Sequence, residues 1–213
     1  MESAVQELPR VIHRVWVGSR PPLKIQDNWE MWNEAYPNIT QRTWQDDDLD
    51  SLKAAGALKK LPHFKDPRTK SDFVRFAVLL EYGGMYVDSD AVPLADEATL
   101  EKWLETPWLA GHCSNPYKGK TRLINSTFCI YPQDPFMKTI LATGFLNAFQ
   151  GMTDAHKLAG AHMMMDLYDE SLADTLPVRP VFDFRYEARA HTLDIDYLKE
   201  VAHPDAPFIF LGV

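Results

Sequence analysis

Residues 70–94 read KSDFVRFAVLLEYGGMYVDSDAVPL. Phe73, Phe76, Ala77 and Leu80 recur at i, i+3, i+4 and i+7, which predicts a helix over 70–82 with one apolar stripe. Thr69 followed by Asp72 has the form of a capping box at its start. Gly83-Gly84 ends the helix, and Met85-Tyr86-Val87 reads as a short strand that runs into Asp88-Ser89-Asp90. Two carboxylates flanking one residue can meet a single hard cation with oxygen ligands. At a strand end they project from the sheet edge, where open α/β sheets bind ligands. A cation placed there can bridge two phosphates and stabilise the charge of a leaving diphosphate. The D-x-D spacing alone is weak, because it recurs at Asp46/Asp48, Asp48/Asp50 and Asp194/Asp196, which read as solvated helix starts. Context singles out Asp88 and Asp90: a helix, two glycines and an apolar strand deliver both acids to one point.

Working outward, 10–18 (RVIHRVWVG) reads as a strand, and 25–35 as a helix with Trp29 and Trp32 at helical spacing. A second strand is expected over 39–44 and a helix over 47–55 behind the acidic run Asp46-Asp47-Asp48, followed by a loop over 60–68. After the acidic pair come a helix near 97–105, strands near 107–112 and 123–131, a Pro-flanked turn at 132–135, and helices over 136–149 and 154–168. The tail from 176 is rich in Pro and aromatic residues, with one more helix expected near 194–201. Strands alternating with helices predict an α/β fold, a mixed and mostly parallel sheet flanked by helices. The length of 213 residues suits one domain, 1–213.

Composition excludes some functions. The formal net charge of -8 argues against a long nucleic-acid interface. Two cysteines, Cys113 and Cys129, are too few for a disulfide scaffold and lack zinc-ligand spacing. MESAVQELPR has no apolar signal core, and the longest apolar run, 73–80, is interrupted by Arg75. These features predict a soluble, cytoplasmic protein with no integral membrane segment.

The stretch 70–94 also resembles the DXD-containing sugar-binding region of glycosyltransferase family 32, a group distantly similar to the large clostridial glucosylating toxins. The resemblance rests on the spacing S-D-x-x-R, then G-G-x-Y, then D-x-D. PRVIHRVWVG (9–18) is similar to that group's N-terminal strand, and Trp44 before an acidic run also fits. INSTFCIYPQDPF (124–136) is similar to its Asn-containing strand, Pro-turn and helix. The resemblance implies a GT-A-like fold, with a donor-nucleotide half at 9–94 and an acceptor side with a C-terminal lid at 95–213. It implies a metal-dependent, retaining transfer of a hexose from a UDP- or GDP-sugar, with Mn²⁺ or Mg²⁺ as the ion. The acceptor would be a hydroxyl of a glycan, a lipid-linked sugar or a protein, with a modified nucleic acid also open.

Residue by residue, the resemblance makes Asp90 the direct metal ligand and sets Asp88 at the ribose or sugar and the metal's water shell. Asp72 and Arg75 would contact donor sugar hydroxyls and complete the catalytic set. Trp16 would stack on the base, with Val15, Tyr86 and Asn125 also lining the donor. On the residues alone, Asp72 better fits a cap and Arg75 a surface ion pair, while Trp16 equally fits core packing and His13 a satisfied structural histidine. The chain departs from the family late. Ala159-Gly160-Ala161-His162 stands where a Gly-Pro is usual, and the tail AHPDAPFIFLGV has His203 but no Trp. His203 or His162 is left as candidate for the last metal ligand. Two other readings stay open: a haloacid-dehalogenase-type phosphatase, since Asp88 to Val92 fits D-x-D-x-V, and a non-catalytic nucleotide-sugar-binding module. The phosphatase needs a downstream Lys and an acidic pair, and no convincing acidic pair is present.

Overall fold

The computed structural model describes residues 7–56, 58, 64, 66–112, 123–168, 172–183 and 208–210. In chain order the elements are β1 (Val11–Val15), α1 (Leu23–Ala35), β2 (Thr40–Trp44), a 3-10 turn (Asp46–Asp48), α2 (Leu49–Ala55), α3 (Pro67–Tyr82), β3 (Gly84–Val87) and β4 (Ala91–Pro93). Then follow α4 (Glu97–Trp103), β5 (Trp108–His112), β6 (Leu123–Ile130), α5 (Pro135–Phe149), α6 (Ala155–Leu158), α7 (Ala161–Leu167), β7 (Val178–Asp183) and β8 (Phe208–Phe210). The expected helix near 194–201, His203 and Cys113 lie outside the described residues.

The strand order is β2-β1-β3-β6-β5-β7, continued by β8 and β4. β1 runs parallel to β2 and β3, β5 to β7, and β7 to β8, while β6 and β4 run against their neighbours. The mixed, mostly parallel sheet expected from the sequence is therefore present. Alternation splits the core into two layers. Val15 and Tyr86 point to the side of Phe73, Phe76 and Met137, whereas Ile12, Met85 and Val87 point to the side of Trp32, Leu100 and Trp103. All four residues of β3 are buried, as a strand covered on both faces requires.

The order β2-β1-β3 is what positions the site. From β1 the chain winds through α1 to β2 on one side, then through α2 and α3 to β3 on the other side. At such a switch point the connections leave in opposite directions and open a crevice beyond the carboxyl ends of the two strands. Trp16 follows one of those ends and Asp88 the other.

Several boundaries differ from expectation. α3 starts at Pro67, not near residue 70, because Asp66 caps it by accepting from the backbone N–H groups of Arg68 and Thr69. Pro67 suits the first helical position, where no N–H needs a partner. The Thr69/Asp72 capping box is thus not formed, and Asp72 lies inside the helix. The acids at 46–48 form a 3-10 turn, closed by Gln45 N–H donating to Asp48 Oδ2 at 2.9 Å, before α2 begins at Leu49. Asp46 is not merely solvated. It accepts from Gly18 N–H at 2.7 Å and pairs with Lys70, tying the loop after β1 to α3. The single helix expected over 154–168 is two, α6 and α7, because the chain folds back at Gly160, where a Cβ would sit 2.7 Å from the His156 Cα. β4, β7 and β8 were not foreseen; Pro93 and Pro180 mask two of them. No helix among the described residues is long and apolar enough to cross a membrane.

Gly83 and Gly84 both hold positive φ, 63° and 88°. A Cβ on Gly84 would lie 2.6 Å from Val11 Cγ1 and 2.7 Å from Val11 O, so the β1–β3 contact requires glycine there. His13 secures the same junction. Its Nδ1 accepts from Trp44 Nε1 at 3.1 Å and its Nε2–H donates to Gly83 O at 3.0 Å. The imidazole is therefore neutral and structural. Burial pushes it down to about 4, with the Arg42 charge adding and the Gly83 bond opposing.

Replacing Gly84 with Ala is expected to lower stability by about 2–3 kcal/mol, read from the denaturant midpoint. For His13, the folded chain refuses a proton that the unfolded chain accepts below about 6.5. Stability should be full above that pH, fall between about 6.5 and about 4, and gain no further slope from this group below that. The loss amounts to about 3 kcal/mol. His13→Gln should be less stable at neutral pH and show a shallower acid dependence of the melting midpoint.

Candidate active site

Asp72 and Arg75 sit one helical turn apart on α3, on the face turned to the crevice. The Arg75 guanidinium reaches both acids: Nη1 is 2.8 Å from Asp88 Oδ1, and Nη2 is 3.1 Å from Asp72 Oδ1. Nη1 also donates to the Asn125 carbonyl of β6. Its central carbon lies 4.6 Å from the Tyr86 ring centroid, a cation–π contact. Asn125 Nδ2 donates to Asp72 Oδ1 at 2.9 Å, and the Tyr86 hydroxyl donates to Asp88 Oδ1 at 2.8 Å. Residues expected to act together from three separate stretches are therefore one hydrogen-bonded network joining α3, β3 and β6.

Its electrostatics are unusual for so enclosed a place. Burial pushes the Asp72 carboxyl up to about 7, against the pull of Arg75 and the Asn125 bond and with the Asp88 charge adding to it. Burial likewise drives the Tyr86 phenol well above its ordinary value; Arg75 opposes this and Asp88 reinforces it. Asp72 and Asp88 share the one guanidinium of Arg75, and a crevice so lined with carboxylates favours added positive charge.

Asp88 and Asp90 flank a turn that is held from every side. Asp88 N–H donates to Ser126 O at 2.8 Å, and Ala91 N–H closes the turn on Asp88 O at 3.0 Å. Ser89 Oγ donates to Val15 O at 3.2 Å, which joins the ends of β3 and β1. From α1, Asn28 Nδ2 donates to Ser89 O at 2.9 Å and to Ala91 O at 2.6 Å, and Trp32 Nε1 to Ala91 O at 2.7 Å. The sequence reading missed Asn28 and Trp32 as parts of the site. The available signal was a polar Asn28 on the buried stripe Ile25, Asn28, Trp32 of α1.

Trp16 is half-buried at the end of β1, its indole N–H donating to Ser19 O at 2.9 Å and its ring edge-on to Trp29 at 6.4 Å. Val15 turns its side chain into the core and offers the crevice only its backbone. His162 is exposed on α7 beside His156, their ring centroids 5.4 Å apart. Among the described residues no three His, Cys, Asp or Glu side chains gather as a metal cage. The residues present nevertheless fit a small divalent cation of the Mg²⁺ or Mn²⁺ kind. Such ions take oxygen ligands, keep several waters, and are held by one or two carboxylates together with substrate phosphates.

Comparisons with known proteins agree with this geometry. Residues 22–108 match the family model described as a glycosyltransferase sugar-binding region containing a DXD motif. No curated protein matches the sequence. Among solved structures, the PaToxG glycosyltransferase is 14% identical, with 79% of this chain and 70% of that chain covered and a TM-score of 0.58. The UDP-bound glycosyltransferase domain of the YGT toxin is 11% identical over 91% of this chain and 82% of that one, with a TM-score of 0.58. The glycosyltransferase GlyE of Streptococcus pneumoniae TIGR4, in its apo form, is 13% identical over 97% of this chain but only 55% of its own length, with a TM-score of 0.53. Identities this low establish a shared fold, while the family match speaks for the segment that holds Asp72, Arg75, Asp88 and Asp90. Residues 22–108 are thus similar to the DXD-containing sugar-binding region of glycosyltransferases, and the chain has a GT-A-like mixed α/β fold.

Proposed function

We propose that the chain moves a hexose from a UDP- or GDP-sugar to an acceptor hydroxyl, using a divalent cation and retaining the anomeric configuration. The observation that carries this reading is the Asp72–Arg75–Asp88 network, completed by Tyr86 and Asn125, at the crevice between the ends of β1 and β3. The UDP bound to the YGT toxin domain, a protein of similar fold, supports a nucleotide-sugar as donor. In this reading Asp90 holds Mn²⁺ or Mg²⁺, and Asp88 serves the ribose or sugar and the ion's water shell. The cation would supply neutralisation of the departing diphosphate. Asp72 and Arg75 orient the sugar hydroxyls, each locked by the other. Trp16 offers a flat face to the base at the crevice rim, beside the Val15 backbone.

Retention without a protein nucleophile is the chemistry we favour. Arg75 engages both Asp72 and Asp88, so each of these carboxylates is already committed to an ion pair and neither is left as a ready nucleophile. In front-face attack the bond from the anomeric carbon to the phosphate oxygen breaks and the bond to the acceptor oxygen forms on the same face. The acceptor's proton passes to the leaving diphosphate. We assign the donor half to 9–94 and the acceptor side with its lid to 95–213, in one domain; β3, lying between β1 and β6, supports treating them as one unit. A glycan, a lipid-linked sugar, a protein or a modified nucleic acid would present the hydroxyl. A cytoplasmic location accords with the paucity of cysteine.

Release of nucleoside diphosphate from UDP-glucose, UDP-galactose, UDP-N-acetylglucosamine and GDP-mannose tests the proposal. One or more should turn over with Mn²⁺ or Mg²⁺ and stop on chelation. Asp90→Asn should lose about 100-fold or more in turnover with an unchanged melting midpoint. Arg75→Lys, which keeps the charge but loses the fork, should lose about 10- to 100-fold in kcat/KM. Hydrolysis of simple phosphate monoesters, or donor binding without turnover on any acceptor, would overturn the assignment.

A further inference from the structure

We infer that Asn28 is a positioning residue for the Asp88-Ser89-Asp90 turn, and that it sets how tightly the cation and diphosphate are held without touching either. The inference rests on the proposed function. Asn28 is 6% exposed and sits 61 and 63 residues before the turn it serves. Its single carboxamide nitrogen spans the turn, donating to the carbonyls of Ser89 and Ala91 on either side of Asp90. Those two carbonyls bracket the Asp90 peptide, so they fix the backbone on which the Asp90 carboxylate is mounted. Trp32, one turn later on the same face of α1, adds a second donor to Ala91 O.

The arrangement is not the one stability alone would select. With both bonds made through Nδ2, the Asn28 Oδ1 is buried with no hydrogen-bond partner among the described residues. An orphaned buried acceptor of this kind is destabilising. Turning the amide over would only set Oδ1 against two carbonyl oxygens, so the orientation is decided by electrostatics. The carboxamide therefore accepts an unsatisfied atom in order to grip the turn. A carboxylate meant for a cation needs such a fixed mount. Partners one layer behind a metal site typically change its affinity about 10- to 100-fold when removed.

The test is Mn²⁺-dependent UDP binding by titration calorimetry on the whole chain, alongside thermal melting. Asn28→Leu keeps roughly the volume and removes both donors. It should bind Mn²⁺–UDP about 10-fold more weakly, raise the Mn²⁺ concentration needed for half-maximal turnover, and leave weak metal-free UDP binding unchanged. Trp32→Phe removes only the Ala91 donor and should shift the Mn²⁺ requirement in the same direction, by less. Should Asn28→Leu fail to fold, Asn28→Ala, which also removes both donors, is measured in its place. Folded variants with wild-type affinity for Mn²⁺–UDP, whatever their melting points, would overturn the inference and leave the proposed function standing. A wild-type chain that binds no Mn²⁺–UDP would overturn both.

Discussion

Arg75 is a buried cation shared between two carboxylates that would otherwise repel each other in a place with little water. Removing it would leave Asp72 and Asp88 buried without the cation that both engage, which is far more costly than the pair is worth against an apolar substitute. The guanidinium can do this because it is a planar fork, with one arm for each acid. Its position depends on α3 being packed against the sheet on one side and α5 on the other, so the ion network inherits the rigidity of the core. Asn125 and Tyr86 then spend their own donors on the same two acids, and the backbone of β6 is drawn in through the Asn125 carbonyl. Helix, central strand and antiparallel neighbour are held in register by one charge.

On the opposite face of the sheet, α1 performs the complementary task. Its buried stripe carries Asn28 and Trp32 against the turn that bears Asp88 and Asp90. The far end of α1 is anchored in turn. Gln41 of β2 donates to the carbonyls of Trp32 and Tyr36, and buried Arg14 of β1 donates to Gln41. Arg14 also lies over the Trp32 ring, 5.1 Å from its centroid, so a cation sits near the negative end of the helix dipole. The acidic turn is consequently set by two independent supports, Arg75 from the α3 side and α1 from the other. A site that must present carboxylates at fixed geometry gains from such double restraint.

The local patterns of the chain were largely legible. The apolar period of α3, the double glycine, the short strand and the acidic pair all appear where the residues place them, because each follows from contacts within a few residues. The glycines also show why their order matters: a side chain at Gly83 would meet Pro132 and one at Gly84 would meet Val11, two different strands' neighbours. Errors fall where a competing cap, a glycine turn or a distant strand pairing overrides the side-chain period. Asp66 took the cap from Thr69, Gly160 split a helix whose periodicity ran on, and the Pro-containing segments β4 and β7 joined the sheet, β4 at its edge, where a missing N–H is tolerated, and β7 between β5 and β8.

Sequence by itself determined the ingredients: an α/β chain, a helix bearing Asp72 and Arg75, and a strand end bearing Asp88 and Asp90. These are set by side-chain period and backbone propensity, which act over a few residues. Only the tertiary structure decided that Asn125, 50 residues beyond Arg75, closes the network, and that Asn28, from the other face of the sheet, fixes the turn. It also decided that His13 is a neutral strut and not a ligand, since both ring nitrogens are consumed by Trp44 and Gly83. Hydrogen-bond partners far apart in the chain follow from which strands lie side by side, and strand order is fixed by packing that no short window of residues contains.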